Sequence, residues 1–337
     1  MDNTLEDNTL KTKCPICGSK HFVLLHSSSA AEDPYAVAAE VAPDTPIESN
    51  FCLSCGVIFN VPRFLGGLAA NVYLKNVATH PHGAIIYQQI FKPSQRSRWL
   101  INRVLRCIGT VCKNPLKERM ERDFLILENL LRQAGEEMIR PPDVLTVGCP
   151  LMAFMSLSFS KRFRSRLSYF INFDENYWGK ACVMNGKDCL QCANEFVGAL
   201  RVESWEELQD RQYQFVYIAE ALDHTYDLTG FMRRLGRHLA SDGLLCIRNH
   251  TFVERKERIT RFPAQHSVSF TERSWQNLLR LAGYKQVAIV FDDHDFDFYA
   301  LLRVGEPSEN TEEPPPGEYE SIRARVRPIQ GKPARET

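Results

Sequence analysis

At 337 residues, 44% of them apolar and 24% charged, the chain is long enough for two domains and apolar enough to bury a core. Its 41 Lys and Arg balance 41 Asp and Glu, which excludes a strongly basic nucleic-acid binder and an acidic solvating protein. No apolar run is long enough for a membrane helix, which takes about 18 residues or more.

Residues 1–13 (MDNTLEDNTLKTK) are acidic and polar, without the apolar run of an export signal, and are expected to be loose. Eleven cysteines, an odd number, then point to reduced thiols in the cytosol, some on a metal, and away from a disulfide framework. Cys14, Cys17, Cys52 and Cys55 form two C-x2-C pairs, each followed by glycine, Gly18 and Gly56. Glycine there permits the left-handed turn that aims both sulfurs at one point. Four thiolates make a closed tetrahedral shell for zinc with no position left for chemistry, so the metal would be structural. His21 and His26 are surface residues that could substitute as ligands. The segment between the pairs, rich in Ala, Pro, Ser and acids, reads as a loop or short hairpin with no core of its own. Residues 14–62 are thus expected to be a zinc ribbon-like domain.

Residues 63–140 read as a helical connector. KPSQRSRWLINRVLR reads as helix, and 118–135 place Phe124, Leu127, Leu130 and Leu131 on one face with Gly135 as a stop. After Pro141 and Pro142 the pattern changes. VLTVGC, SYFINFD, QFVYIAE and GLLCIRNH are short apolar runs, with DLTGFMRRLGRHLASDG as a helix before the last. SFTERSWQNLLRLAGY opens on a Ser/Thr cap and closes on glycine, a helix between its signals. QVAIVFD and DFYALLRV, joined by a short link, must pair antiparallel. Strands alternating with helices argue an α/β domain over 141–304, with a doubly wound, mostly parallel sheet. Beyond it, 304–320 hold six Glu and no Lys or Arg, and 321–337 hold five Lys or Arg. With PPP between, residues 305–337 read as a disordered tail.

In such a fold a ligand lies beyond the carboxyl ends of the strands. Gly148 and Cys149 make the first turn there, where glycine lets the backbone approach a sugar or phosphate. Asp174 ends the second strand, placed for ribose hydroxyls, or for an N-cap. Glu203 follows the strand-like ALRV. Glu220, Asp223, His224 and Asp227 follow the third strand; His224 also reads as a packed histidine and Asp227 as a helix cap. Arg248 and Asn249 end the fourth strand, placed for an anionic substrate or, for Arg248, a surface ion pair. Cys182, Cys189 and Cys192 match no metal-ligand spacing, and the basic stretches KRFRSR and KPSQRSR lack the interleaved aromatics of a nucleic-acid platform.

From the cysteine pairs through VLTVGCPLMAF, INFDENYWGKACVMNG, FVYIAEALDHTYDLTGFMRRLGRHLASDGLLCIRNH and QHSVSFTERSW, residues 14–304 resemble a family. It is the class I S-adenosylmethionine-dependent methyltransferases with an N-terminal zinc-binding domain, many of them similar to sugar C-methyltransferases. The resemblance implies a Rossmann-like sheet of seven strands. It implies S-adenosylmethionine bound by Gly148, Cys149, Asp174, Glu203 and Glu220, and zinc on the four cysteines. His224 and His266 become the catalytic bases, since imidazole titrates near neutral pH. The substrate becomes a small polar metabolite such as a nucleotide sugar. Pro150 and Met152 stand where the family carries glycines, and Met152 would take up volume beside the cofactor. That departure supports the alternative, a non-catalytic binding or scaffold protein of the same fold.

Overall fold

The structure, a computed structural model, describes residues 13–33, 36–37, 41–61, 115–135, 143–148, 167–170, 183–184, 187–188, 200–202, 205–219, 222–225, 227–256, 259, 262, 266–292, 297–306 and 315–326. In chain order come β1 (Phe22–Ser29), β2 (Pro46–Cys52) and β3 (Ile58–Val61), then α1 (Pro115–Gln133), β4 (Val144–Gly148) and β5 (Leu167–Phe170). The two-residue strands β6 (Val183–Met184) and β7 (Lys187–Asp188) precede β8 (Leu200–Val202), α2 (Trp205–Leu208) and β9 (Tyr213–Ala219). The remainder is α3 (Leu228–Gly236), β10 (Leu239–His250), β11 (Val268–Ser269), α4 (Glu272–Ala282), β12 (Tyr284–Asp292), β13 (Asp297–Val304) and α5 (Glu318–Arg325).

Local chemistry explains the helix ends. Asp227 caps α3, its carboxylate accepting from the Gly230 N–H. Thr271 and Ser274 cap α4 reciprocally, and Gly283 ends it at φ +78°. The apolar runs become the central strands of a sheet with order β12-β13-β10-β9-β4-β5-β8 among the described residues. The β8/β5, β5/β4, β4/β9 and β9/β10 pairs are parallel. β13 runs antiparallel to both β10 and β12. The sheet is therefore mixed, with one reversed strand near its edge. β9 is buried except at Gln214, and β10 is buried from Gly243 to Asn249, as central strands covered on both faces are. Trp275 of α4 lies in that core against Phe298, centroids 4.9 Å apart, and gives its indole N–H to Gln286.

β1, β2 and β3 form a second, antiparallel sheet whose fourth member is β11. The segment between the cysteine pairs, expected to be a loop or short hairpin, is two paired strands of eight and seven residues. Ala30, Ala36 and Ile47 give it a small buried cluster. The N-terminal part also shares the main core, since Cys14, Ile16, Val57 and Phe59 pack with the strands and with α4.

The expected disordered tail needs correction over 315–326. There α5 buries Ile322 against Leu25, Phe51, Val253 and Ile259, Glu318 meets Arg273 at 2.6 Å, and Val326 bridges Ile259. One isoleucine and a shielded ion pair dock a helix that composition alone reads as solvated. No described helix is long and apolar enough to cross a membrane.

Candidate functional site

The four cysteines come together. Each offers its Sγ within 4.8 Å of the others, with Cys14 and Cys55 at 3.4 Å and Cys17 and Cys52 at 3.6 Å. Gly18 and Gly56 take φ of +70° and +81°, which turns each knuckle inward. Around a zinc ion with bonds near 2.3 Å, tetrahedral sulfurs sit about 3.8 Å apart, so the donor set and its size fit the metal. Hydrogen bonding to Cys14 lowers the Cys17 thiol to about 7, and the other three thiols depress Cys52 as well. The burden falls on Cys14, raised by Cys17 and Cys52, and on Cys55, raised by its three neighbouring thiols. His21 is exposed and His26 lies against Phe262, both apart from this cluster.

The knuckles are tied to the larger sheet by hydrogen bonds. Thr229 of α3 donates to the Ile16 carbonyl, Thr271 to the Gly56 carbonyl and Arg273 to the Ser54 carbonyl. β3 also reaches the segment before α4. Asn60 donates its side-chain amide to the His266 carbonyl at 3.1 Å and its backbone N–H to the Ser267 carbonyl at 3.0 Å. Ser49 fixes that side chain by donating to Asn60 Oδ1.

At the carboxyl ends of β9 and β10 three side chains converge. Asp223 lies in the single turn after β9, His250 is the last residue of β10, and His266 precedes β11. His266 Nδ1 bonds Asp223 Oδ2, and the two imidazole rings meet edge to face with centroids 4.6 Å apart. His250 Nδ1 pairs with Asp297 Oδ1 at 3.0 Å. An ionised carboxylate only accepts, so that nitrogen carries the proton. Behind them lies a buried chain. Arg248 gives Nε and Nη2 to Asp297 and Nη1 to Asp123, and Tyr299 donates to Asp123 at 2.6 Å. Burial alone would raise the Asp297 carboxyl, but the His250 bond and the Arg248 guanidinium outweigh it and hold it below its ordinary value. Burial lowers Lys256, while Asp223 and Asp297 pull it back part of the way.

Arg248 therefore corrects the sequence expectation on both counts. It is fully buried between two carboxylates, neither exposed in a surface pair nor available to an anionic substrate. Gly148 ends β4 opposite Ala219 of β9. β4 is the strand at which the order reverses, with β5 on one side and β9 on the other. Two small residues at that switch point fit the close approach of a nucleoside. Cys149, Asp174, Glu203 and Glu220, expected at the cofactor, lie outside the described residues, as do Pro150, Met152, Cys182, Cys189 and Cys192. His224 belongs to the same turn as Asp223. His250, Asp297 and Lys256 are site residues that sequence reasoning missed. The terminal histidine of GLLCIRNH, at a strand's carboxyl end, was the available signal for the first.

A family profile described as a methyltransferase domain matches residues 121–289, half of the chain. The chain belongs to the methyltransferase-domain family. The matched segment runs from α1 into β12 and takes in Asp123, Asp223, His250 and His266, while the four cysteines precede it. Nothing among curated proteins matches the sequence. Among solved structures the chain is similar to a SAM dependent methyltransferase from Aquifex aeolicus, at 18% identity over 52% of this chain and 88% of that one, TM-score 0.40. It is also similar to the N-methyltransferase NodS from Bradyrhizobium japonicum WM9, at 16% identity over 58% and 99%, TM-score 0.37. A third is the mitomycin 7-O-methyltransferase MmcR, at 9% identity over 69% of this chain and 60% of that one, TM-score 0.38.

Proposed function

We propose that this protein transfers a methyl group from S-adenosylmethionine to a small polar metabolite in the cytosol, with a structural zinc ion on Cys14, Cys17, Cys52 and Cys55. The observation that carries the reading is the Asp223, His250 and His266 cluster beyond β9 and β10 of a methyltransferase-family sheet. S-adenosylmethionine, when bound, supplies a sulfonium-activated methyl group. The chain supplies alignment, which is worth several kcal/mol and up to roughly ten. Gly148 and Cys149 would receive the cofactor backbone to backbone, Asp174 its ribose, and Glu203 and Glu220 the neighbouring edges. His266, oriented by Asp223, and His224 activate the acceptor. With Arg248 committed to Asp123 and Asp297, a nucleotide sugar as acceptor rests on the resemblance to sugar C-methyltransferases.

The second reading, a non-catalytic scaffold, is favoured by Pro150 and Met152 in the first turn. Ultraviolet cross-linking with methyl-labelled S-adenosylmethionine separates the two. Label on the wild type, competed by S-adenosylhomocysteine and lost in Asp174→Ala, is the expected result. A wild type that takes no label supports the scaffold.

A further inference from the structure

Asp223, His250 and His266 reach one point from three separate parts of the chain, with one donor atom of each within 4.8 Å of the others. We infer that this cluster is a second metal site, distinct from the cysteine knuckles, which takes a divalent first-row transition ion on two imidazole nitrogens and one carboxylate oxygen.

The donor set comes first. Two histidines and a carboxylate suit borderline ions such as zinc, iron or cobalt, and three protein ligands leave positions open. Ligand atoms held about 2.1 Å from an ion in tetrahedral geometry lie about 3.4 Å apart, so modest side-chain rotation closes the cluster on an ion. Second, the ligands are braced from behind. His250 gives Nδ1 to Asp297, itself gripped by Arg248. A carboxylate behind a histidine fixes its tautomer and directs Nε2 toward a metal. Ser267 donates to the Asp223 carbonyl and Asn60 to the His266 carbonyl, which fixes the backbone of the other two ligands. Third, the exposures grade outward. The side chains of Asp223, His266 and His250 are 1%, 16% and 39% exposed, so an ion would be anchored from inside and reachable from outside. This differs from the cysteine site, where three of the four thiols are buried. With an ion bound, His266 and Asp223 would act as its ligands in place of a base and its orienting carboxylate; the ion would bind an oxygen of the acceptor and lower its proton affinity, leaving His224 to take the proton. That use rests on the methyl-transfer reading; the binding itself does not.

The test is cobalt(II) titration of the full chain already carrying one zinc, followed by metal stoichiometry, visible absorption and thermal melting. No cofactor or acceptor is added, so the outcome is independent of methyl transfer. The expected result is a second equivalent with weak d–d bands, no thiolate charge-transfer band, and a rise in melting temperature. Asp223→Asn, nearly isosteric, should abolish that second equivalent. Asp297→Asn should weaken it by about 10–100-fold. Cys14→Ser should leave the weak bands in place. Saturation at one equivalent overturns the site, and so does a second equivalent unaffected by Asp223→Asn. Binding that appears only in Lys256→Ala also overturns it, because the Lys256 ammonium would then neutralise Asp223 and Asp297 in the native protein.

Discussion

Arg248 shows how far one residue's role depends on what surrounds it. In sequence it is an arginine near a strand end; in the fold it has no exposed surface and joins Asp123 of α1 to Asp297 of β13. Removing it leaves two buried carboxylates without their cation. Arg248→Ala should therefore cost about 3–5 kcal/mol in urea unfolding, whereas a loss under about 1 kcal/mol would place the residue in solvent. Asp297 adds a pH signature. Its folded pKa is lowered, so its contribution is complete above the ordinary carboxylate value near 4 and is lost as pH falls through the lowered folded value. The stability gap between wild type and Asp297→Asn should shrink on acidification below about pH 4, and a gap that does not change with pH would contradict the assignment. At this scale the sequence was legible where spacing repeats. The C-x2-C-G pairs named four sulfurs that do meet, and the His266 that the sequence singled out stands beside Asp223. His250, Lys256 and Asp297 were not legible, because 47 residues separate His250 from its carboxylate and only strand pairing brings them together.

Among the elements, β3 links the two ends of the account. It follows directly on the second cysteine knuckle, which turns the chain from β2 into β3, pairs with β11, and holds His266 and Ser267 through Asn60. Zinc on the knuckles would thereby hold the site histidine through one strand. Chelation should speed hydrogen exchange at the Asn60 amide, which bonds the Ser267 carbonyl, while β9 and β10 stay protected; unchanged exchange at that amide would uncouple the knuckles from the site. The strands and α4 were readable because apolar runs and caps are local signals. The β1–β2 pair was readable only as one of two alternatives, a loop or a short hairpin, since the two strands are separated by a long connection rich in turn-forming residues. α5 was missed for a related reason. Its apolar content is little more than Ile322 and Tyr319, and what stabilises it is Arg273 and Phe51, both far away in sequence.

For the whole molecule, the strand order places a switch point at β4 and β9, with small residues at both strand ends and the histidine cluster beyond the neighbouring strand. Alternation of strands and helices made the parallel sheet legible, and the short final link made the reversal of β13 legible. The sequence could not reveal that β11 leaves the main sheet to complete the N-terminal one, because two residues carry no periodicity. On the proposed function, S-adenosylmethionine enters at this switch point. Isothermal calorimetry of zinc-loaded protein with S-adenosylmethionine and S-adenosylhomocysteine tests it most directly. Binding of both at micromolar concentration is expected; absence of heat with millimolar ligand would contradict the claim and leave a scaffold of the same fold.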